Sequence, residues 1–236
     1  MSGVFLFHLA TNKLSFESPP MIFKAFILLV IIFIVSCNSD NTGKSVILTD
    51  KKEIVKNEKH SIAIVPFKGI DSNLIKELKT GILKQLKVEL DILEKTSLPD
   101  FAFYKLRQRY IADSLLIFLR QINKNKFEKI IGITTKDIST RKGTVENWGI
   151  LGLGTCPGEV CVISSFRAGK DKVSHSVFLR RMITLALHEL GHTYGLEHCS
   201  VATCLMKDAE GKMNLDDGDS YCEKCRDYLH DKDILK

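Results

Sequence analysis

His188-Glu189-Leu190-Gly191-His192-Thr193-Tyr194-Gly195-Leu196-Glu197-His198 is the stretch on which the reading of this chain turns. Ile183, Leu187, Leu190 and Tyr194 recur at helical spacing through it, which predicts a helix from about Val173 to Tyr194 with that stripe packed on a sheet. On such a helix a spacing of four puts His188 and His192 on one side, one turn apart, where two imidazoles can grip one Zn²⁺. Glu189 sits beside them and can take a proton from a zinc-bound water as general base without being a ligand. Gly195 tolerates the positive φ with which a helix ends in a sharp turn, and that turn brings His198 back as a third ligand. Three neutral imidazoles leave the fourth tetrahedral position open, the arrangement of a catalytic rather than a structural zinc. HExxH by itself is a modest signal; the longer string, with its glycine and third histidine, is far more demanding.

Working upstream, Ile62-Ala63-Ile64-Val65-Pro66-Phe67 is a short apolar run bounded by turn residues and reads as the first strand. Leu74, Leu78, Ile82 and Leu86 predict a helix capped by Asp71 or Ser72, and a second helix is expected around Gln108 to Ile122. Further strands are expected at Lys129 to Thr135 and Val160 to Phe166, with the glycine-rich segment Gly149 to Gly158 between them. Strands alternating with helices argue for an α/β core. Downstream, Leu196 to Lys236 is rich in cysteine and acidic residues, with one short helix expected near Cys222 to Asp231.

The HExxHxxGxxH string resembles that of the metzincin metallopeptidases. Its continuation, His198-Cys199, then Cys204-x-Met206 and Cys222-x-x-Cys225, is similar to the archaemetzincin branch over roughly residues 60 to 230. The resemblance implies an α/β, zincin-like fold with a twisted, mixed, mostly parallel sheet, an active-site helix and a cysteine-rich, zinc-bound C-terminal segment. It implies a Met-turn in which Met206 is an apolar floor beneath the metal ligands. It also implies peptide-bond hydrolysis, with a peptide or protein substrate held as an added strand along Val160 to Ser165. A structural zinc on Cys199, Cys204, Cys222 and Cys225 follows in the same way, making two Zn²⁺ per chain. The segment between Met206 and Cys222 departs from the family pattern in being somewhat shorter.

Two disulfides are the alternative for those four cysteines, but a disulfide inside Cys222-x-x-Cys225 would close a very small ring, and no thioredoxin-like context surrounds it. Cys156-Pro157-Gly158-Glu159-Val160-Cys161 has a turn that makes a local Cys156–Cys161 disulfide feasible, with two buried free thiols as the alternative.

The 236 residues are 44% hydrophobic and 26% charged, ordinary globular composition that suits one catalytic domain. The net charge of +6 is scattered as short pairs such as Lys51-Lys52, which argues against a nucleic-acid partner. Lys24 is followed by an apolar run, Ala25 to Val35, too short to span a bilayer but of signal-peptide length. It ends in Ile34-Val35-Ser36-Cys37, which resembles a bacterial lipobox. Residues 1–36 are therefore read as upstream residues and a lipoprotein signal starting at Met21, 37–59 as a tether lipidated on Cys37, and 60–236 as the metallopeptidase domain. A plain secretory signal or a short anchor helix is the alternative. The expected protein is a monomer in the bacterial cell envelope, held to the membrane, with Asn38 pointing to the outer one. A lipid-anchored zinc-binding or partner-binding module with little turnover is the rival function. Glu189 favours the enzyme, since a binding-only site has no need of a base.

Overall fold

The computed structural model describes residues 60–208, 215–216 and 218–236; the segments read from the sequence as signal and tether, Cys37 included, lie outside the described residues. Through the described residues the chain runs β1 (Ser61–Pro66), α1 (Ser72–Gln85), β2 (Glu89–Ile92), β3 (Phe103–Tyr104), β4 (Arg109–Ile111), α2 (Ala112–Asn123), β5 (Lys129–Thr134) and β6 (Ile138–Lys142). It continues through β7 (Val145–Ile150), β8 (Gly152–Gly154), β9 (Val160–Ser164), α3 (Ser165–Ala168), α4 (His175–Thr193) and α5 (Glu223–His230).

β1, β5 and β9 are the most apolar segments, and strands that bury both faces belong in the middle of a sheet covered by helices on each side. They form the centre of a sheet in the order β2-β1-β5-β9-β8, parallel throughout except for the antiparallel edge strand β8. Alternation sorts the side chains into two cores. Ile62, Ile64, Ile131, Ile133, Cys161 and Ile163 face α1 and α4, while Ala63, Val65, Ile130, Val160 and Val162 meet Leu115 and Leu119 of α2. The Asp71 carboxylate accepts the Asn73 backbone N–H at 3.2 Å and caps α1 as its sequence suggests.

A second sheet, β3-β4-β6-β7, was not expected. The helix read from Gln108 starts only at Ala112: Gln108 adopts a left-handed φ of 52°, and Arg109–Ile111 pair with β3 and β6 instead. β6 and β7 form a hairpin whose turn holds Gly143 at φ 59°.

Strand pairing and the free thiols depart from two more expectations. β9 is interior, hydrogen-bonded to β5 on one side and to β8 on the other, so its edge is closed to an added strand; the edge strand on this side of the sheet is β8. Cys156 and Cys161 are both free, not joined as a disulfide. Cys161 points from β9 into the core shared with α4, and Cys156 lies in the exposed turn, its thiol donating to the Leu196 carbonyl at 3.4 Å.

Candidate metal centre and active site

α4 carries the chemistry. Ser174 caps it, and it ends in a Schellman turn: Gly195 at φ 101° donates to the His192 carbonyl at 2.8 Å, and Leu196 donates to that of Gly191 at 3.0 Å. Reversal at Gly195 returns the chain across the helix end and brings His198 to the two helical histidines. The ring centroids of His188 and His192 are 4.7 Å apart, and that of His198 lies 5.4 and 4.8 Å from them. One nitrogen from each of the three lies within 4.8 Å of those of the others.

Two backbone carbonyls orient the helical pair. His188 Nδ1–H donates to Leu205 O at 2.8 Å and His192 Nδ1–H to Leu196 O at 2.7 Å, which commits both protons to Nδ1 and turns both Nε2 lone pairs inward. Those Nε2 atoms are 3.1 Å apart. Burial, then the neighbouring His192, lowers the His188 pKa to about 4, and burial also lowers that of His192. Two neutral lone pairs facing each other at that distance want a cation, and three imidazoles converging on one point fit Zn²⁺. His198, half exposed, has Nδ1 3.8 Å from the Asp208 carboxylate.

Glu189 lies under β8 and lines the same cleft as the three histidines. Its side chain is buried, and burial alone pushes its carboxyl up to about 8. A Cβ on Gly152 would stand 2.5 Å from Glu189 Oε1, and one on Gly154 would stand 3.2 Å from Oε2 and 3.2 Å from His192 Cβ. Only glycine backbone lets the edge strand lie this close to the carboxylate. Sequence reasoning had left Gly152 and Gly154 inside an undifferentiated glycine-rich segment. The available signal was their spacing of two, which puts both on the same face of a strand. Substituting Gly152 by Ala is expected to displace the carboxylate and lower kcat by about 10²-fold while zinc content is retained. Steady-state rates together with metal analysis check this, and a near-normal kcat would show that the contact is unimportant.

Met206 is fully buried, with its sulfur against the Gly191 backbone between the two histidine turns. Cys199, Cys204, Cys222 and Cys225 converge, with sulfurs within 4.8 Å of one another and none joined as a disulfide. Cys204 Sγ accepts the backbone N–H groups of Met206 and Cys222, each at 3.4 Å. The Cys225 backbone N–H, at the open start of α5, draws the Cys222 thiol down to about 7, whereas burial raises Cys204 and Cys225. Four converging sulfurs, two of them (Cys204 and Cys222) with backbone N–H donors aimed at them, suit a tetrathiolate metal site. The two clusters are neighbours in the chain, since Cys199 follows His198 and Cys204 precedes the Leu205 carbonyl that holds His188.

Away from these two clusters, other histidines and acids among the described residues make ordinary ion pairs. His60 pairs with Glu128 and His175 with Glu77, while Asp216 binds Arg180 and the buried Arg181, whose hydrogen bonds hold its carboxyl below the usual range.

Residues 62–231 match the model of peptidase family M54. The chain belongs to that family. Curated relatives of this M54 chain include the archaemetzincin of Haloquadratum walsbyi, 29% identical over 177 residues that span 72% of this chain and 99% of the relative. The archaemetzincin of Methanopyrus kandleri is 29% identical over 137 residues, 58% of this chain and 74% of that one. The crystal structure of the Methanopyrus kandleri archaemetzincin superposes with a TM-score of 0.61 at 25% identity, covering 75% of this chain and 97% of that one. The archaemetzincin of Archaeoglobus fulgidus, complexed with malonate, gives the same TM-score at 24% identity, covering 71% and 99%, a likeness of fold. The M54 chain is thus an α/β zinc metallopeptidase of the archaemetzincin kind.

Proposed function

We propose that this peptidase cuts a peptide bond laid along β8, with Glu189 as general base and His188, His192 and His198 as the ligands of the catalytic zinc. The observation that carries this is the placement of Glu189: a buried carboxylate held close under Gly152 and Gly154, lining the same cleft as the three converging imidazoles. When bound there, zinc supplies a Lewis acid for the scissile carbonyl and makes water a stronger acid. Glu189 accepts the proton of the attacking water and returns it to the departing amine nitrogen. Its buried surroundings raise its proton affinity, which suits a group that must both take and give a proton near neutral pH. The Leu205 and Leu196 carbonyls keep the two helical imidazoles in one tautomer, and Met206 supports them from below. β8 offers an unpaired edge among the described residues, and a substrate strand added antiparallel to it gains main-chain hydrogen bonds without a deep side-chain requirement.

The four cysteines hold a second, structural zinc in this reading, so the chain carries two. The enzyme acts as a monomer, tethered by a lipidated Cys37 to the bacterial envelope, the outer membrane being favoured by Asn38. Metal analysis of protein purified without chelator tests the two-site arrangement. Two zincs per chain are expected, falling to one in a His188→Ala, His192→Ala double variant. One zinc that survives the double substitution would leave only the cysteine site.

A further inference from the structure

We infer that the cleft selects peptides bearing a carboxylate in the fragment C-terminal to the cut bond, a reading that rests on the substrate path proposed along β8. The cleft is about 640 Å³ and runs from the three histidines past β8 to the end of β7, the rim of β6 and the end of α3. Its far end is lined by Arg141, Lys142, Arg167 and Lys170 with Trp148. Among the described lining residues the only acids are Glu189 and Asp208, and both stand at the histidine end.

The positive charge is built in. Arg167 makes a two-pronged contact with Asp137, Nε to Oδ1 at 2.8 Å and Nη2 to Oδ2 at 3.0 Å, and its guanidinium lies against the Gly149 backbone. Arg109 Nε meets the same Asp137 carboxylate at 2.8 Å. One largely buried carboxylate thus faces two guanidiniums, leaving a net positive charge fixed in the wall. Lys142 and Lys170 are held over the aromatic faces of Trp148 and Phe166, at 5.6 and 5.2 Å from the ring centres.

Strand direction says which part of a peptide meets this wall. β7 leads into β8, so the cationic end lies at the N-terminal side of β8, beyond Gly152. A substrate paired antiparallel to β8 points its C-terminal part that way. The leaving fragment therefore lies among the cations, where an Asp or Glu side chain or a free α-carboxylate is attracted and a Lys or Arg is repelled.

The test uses the zinc-loaded full chain and one internally quenched peptide made with Glu, Gln or Lys at each of the first few positions after the cut bond, with the C-terminus free or amidated. Glu is expected to exceed Lys in kcat/KM by on the order of tenfold, a gap that narrows at high salt. A gain from Glu identifies a side-chain carboxylate as the group selected, and a gain from freeing the C-terminus identifies the terminal one. Lys142→Glu with Lys170→Glu should reverse the Glu-to-Lys order. Equal rates across the series, or an acidic preference confined to positions before the cut bond, would overturn the inference while leaving peptidase activity intact. If no peptide is cut, the proposed function fails. The inference is then judged from binding of the same peptides, fluorescently labelled, to the Glu189→Gln chain: tighter binding of the Glu form supports it, and equal binding removes it.

Discussion

Glu189→Gln is expected to lower kcat/KM by about two to four orders of magnitude, the usual span for loss of a positioned general base, while zinc content and the thermal unfolding midpoint stay close to those of the parent. The amide keeps the size and the hydrogen-bonding reach of the carboxylate, so the contacts with Gly152 and Gly154 survive; what is lost is the capacity to take up a proton. Stability should not fall, because the native site burns no favourable ion pair on this carboxylate: burial alone raises its pKa, so its charged form is a cost in the metal-free fold. Rates measured alongside metal content decide the matter. A variant with near-parental kcat would take the base role away from Glu189, and a variant that had lost zinc would make it a ligand.

The second large effect is expected at the cysteine cluster. Cys204→Ala should remove one zinc per chain and destabilise the C-terminal segment by several kcal/mol, since metal binding by four thiolates is coupled to the folding of the loops that supply them. Cys204 is nearly buried, and its sulfur gathers the N–H groups of Met206 and Cys222, so two stretches otherwise far apart in sequence depend on it. The effect should reach the catalytic histidines as well. Leu205, the next residue, supplies the carbonyl that orients His188, and loss of such an outer partner costs about 10–100-fold in metal affinity or activity. Thermal unfolding, zinc stoichiometry and kcat/KM are read together. Unchanged stoichiometry with an unchanged midpoint would mean that the sulfurs hold no metal, whereas loss of one zinc with full activity would uncouple the two sites.

The sequence was a good guide wherever the physical cause is local. The α4 stripe and the histidines at a spacing of four were legible because helical periodicity places them, and Gly195 announced the turn because few other residues accept its φ. β1, β5 and β9 were legible as apolar runs of strand length. Reading failed where burial was weak. β6 and β7 are mostly exposed or half-exposed toward their ends, so Thr140-Arg141-Lys142 and Val145-Glu146-Asn147 show little apolar alternation, and the second sheet left no pattern to find. The helix expected from Gln108 was overextended for a related reason: Tyr110 and Ile111 fit a helical stripe as well as a strand, and pairing with β3 and β6 decided between them.

By itself, then, the sequence determined the donor set for a three-histidine metal site, the helix that presents it, the adjacent carboxylate and the thiols of the second cluster, because residue type and short-range spacing are all that those features require. Only the tertiary structure decided that β8 rather than β9 is the open edge, that Gly152 and Gly154 press on Glu189, that the Leu196 and Leu205 carbonyls orient the histidines, and that Cys156 and Cys161 point apart. These depend on strand order, register and backbone groups that every residue carries alike, so no side-chain pattern announces them until the chain has folded.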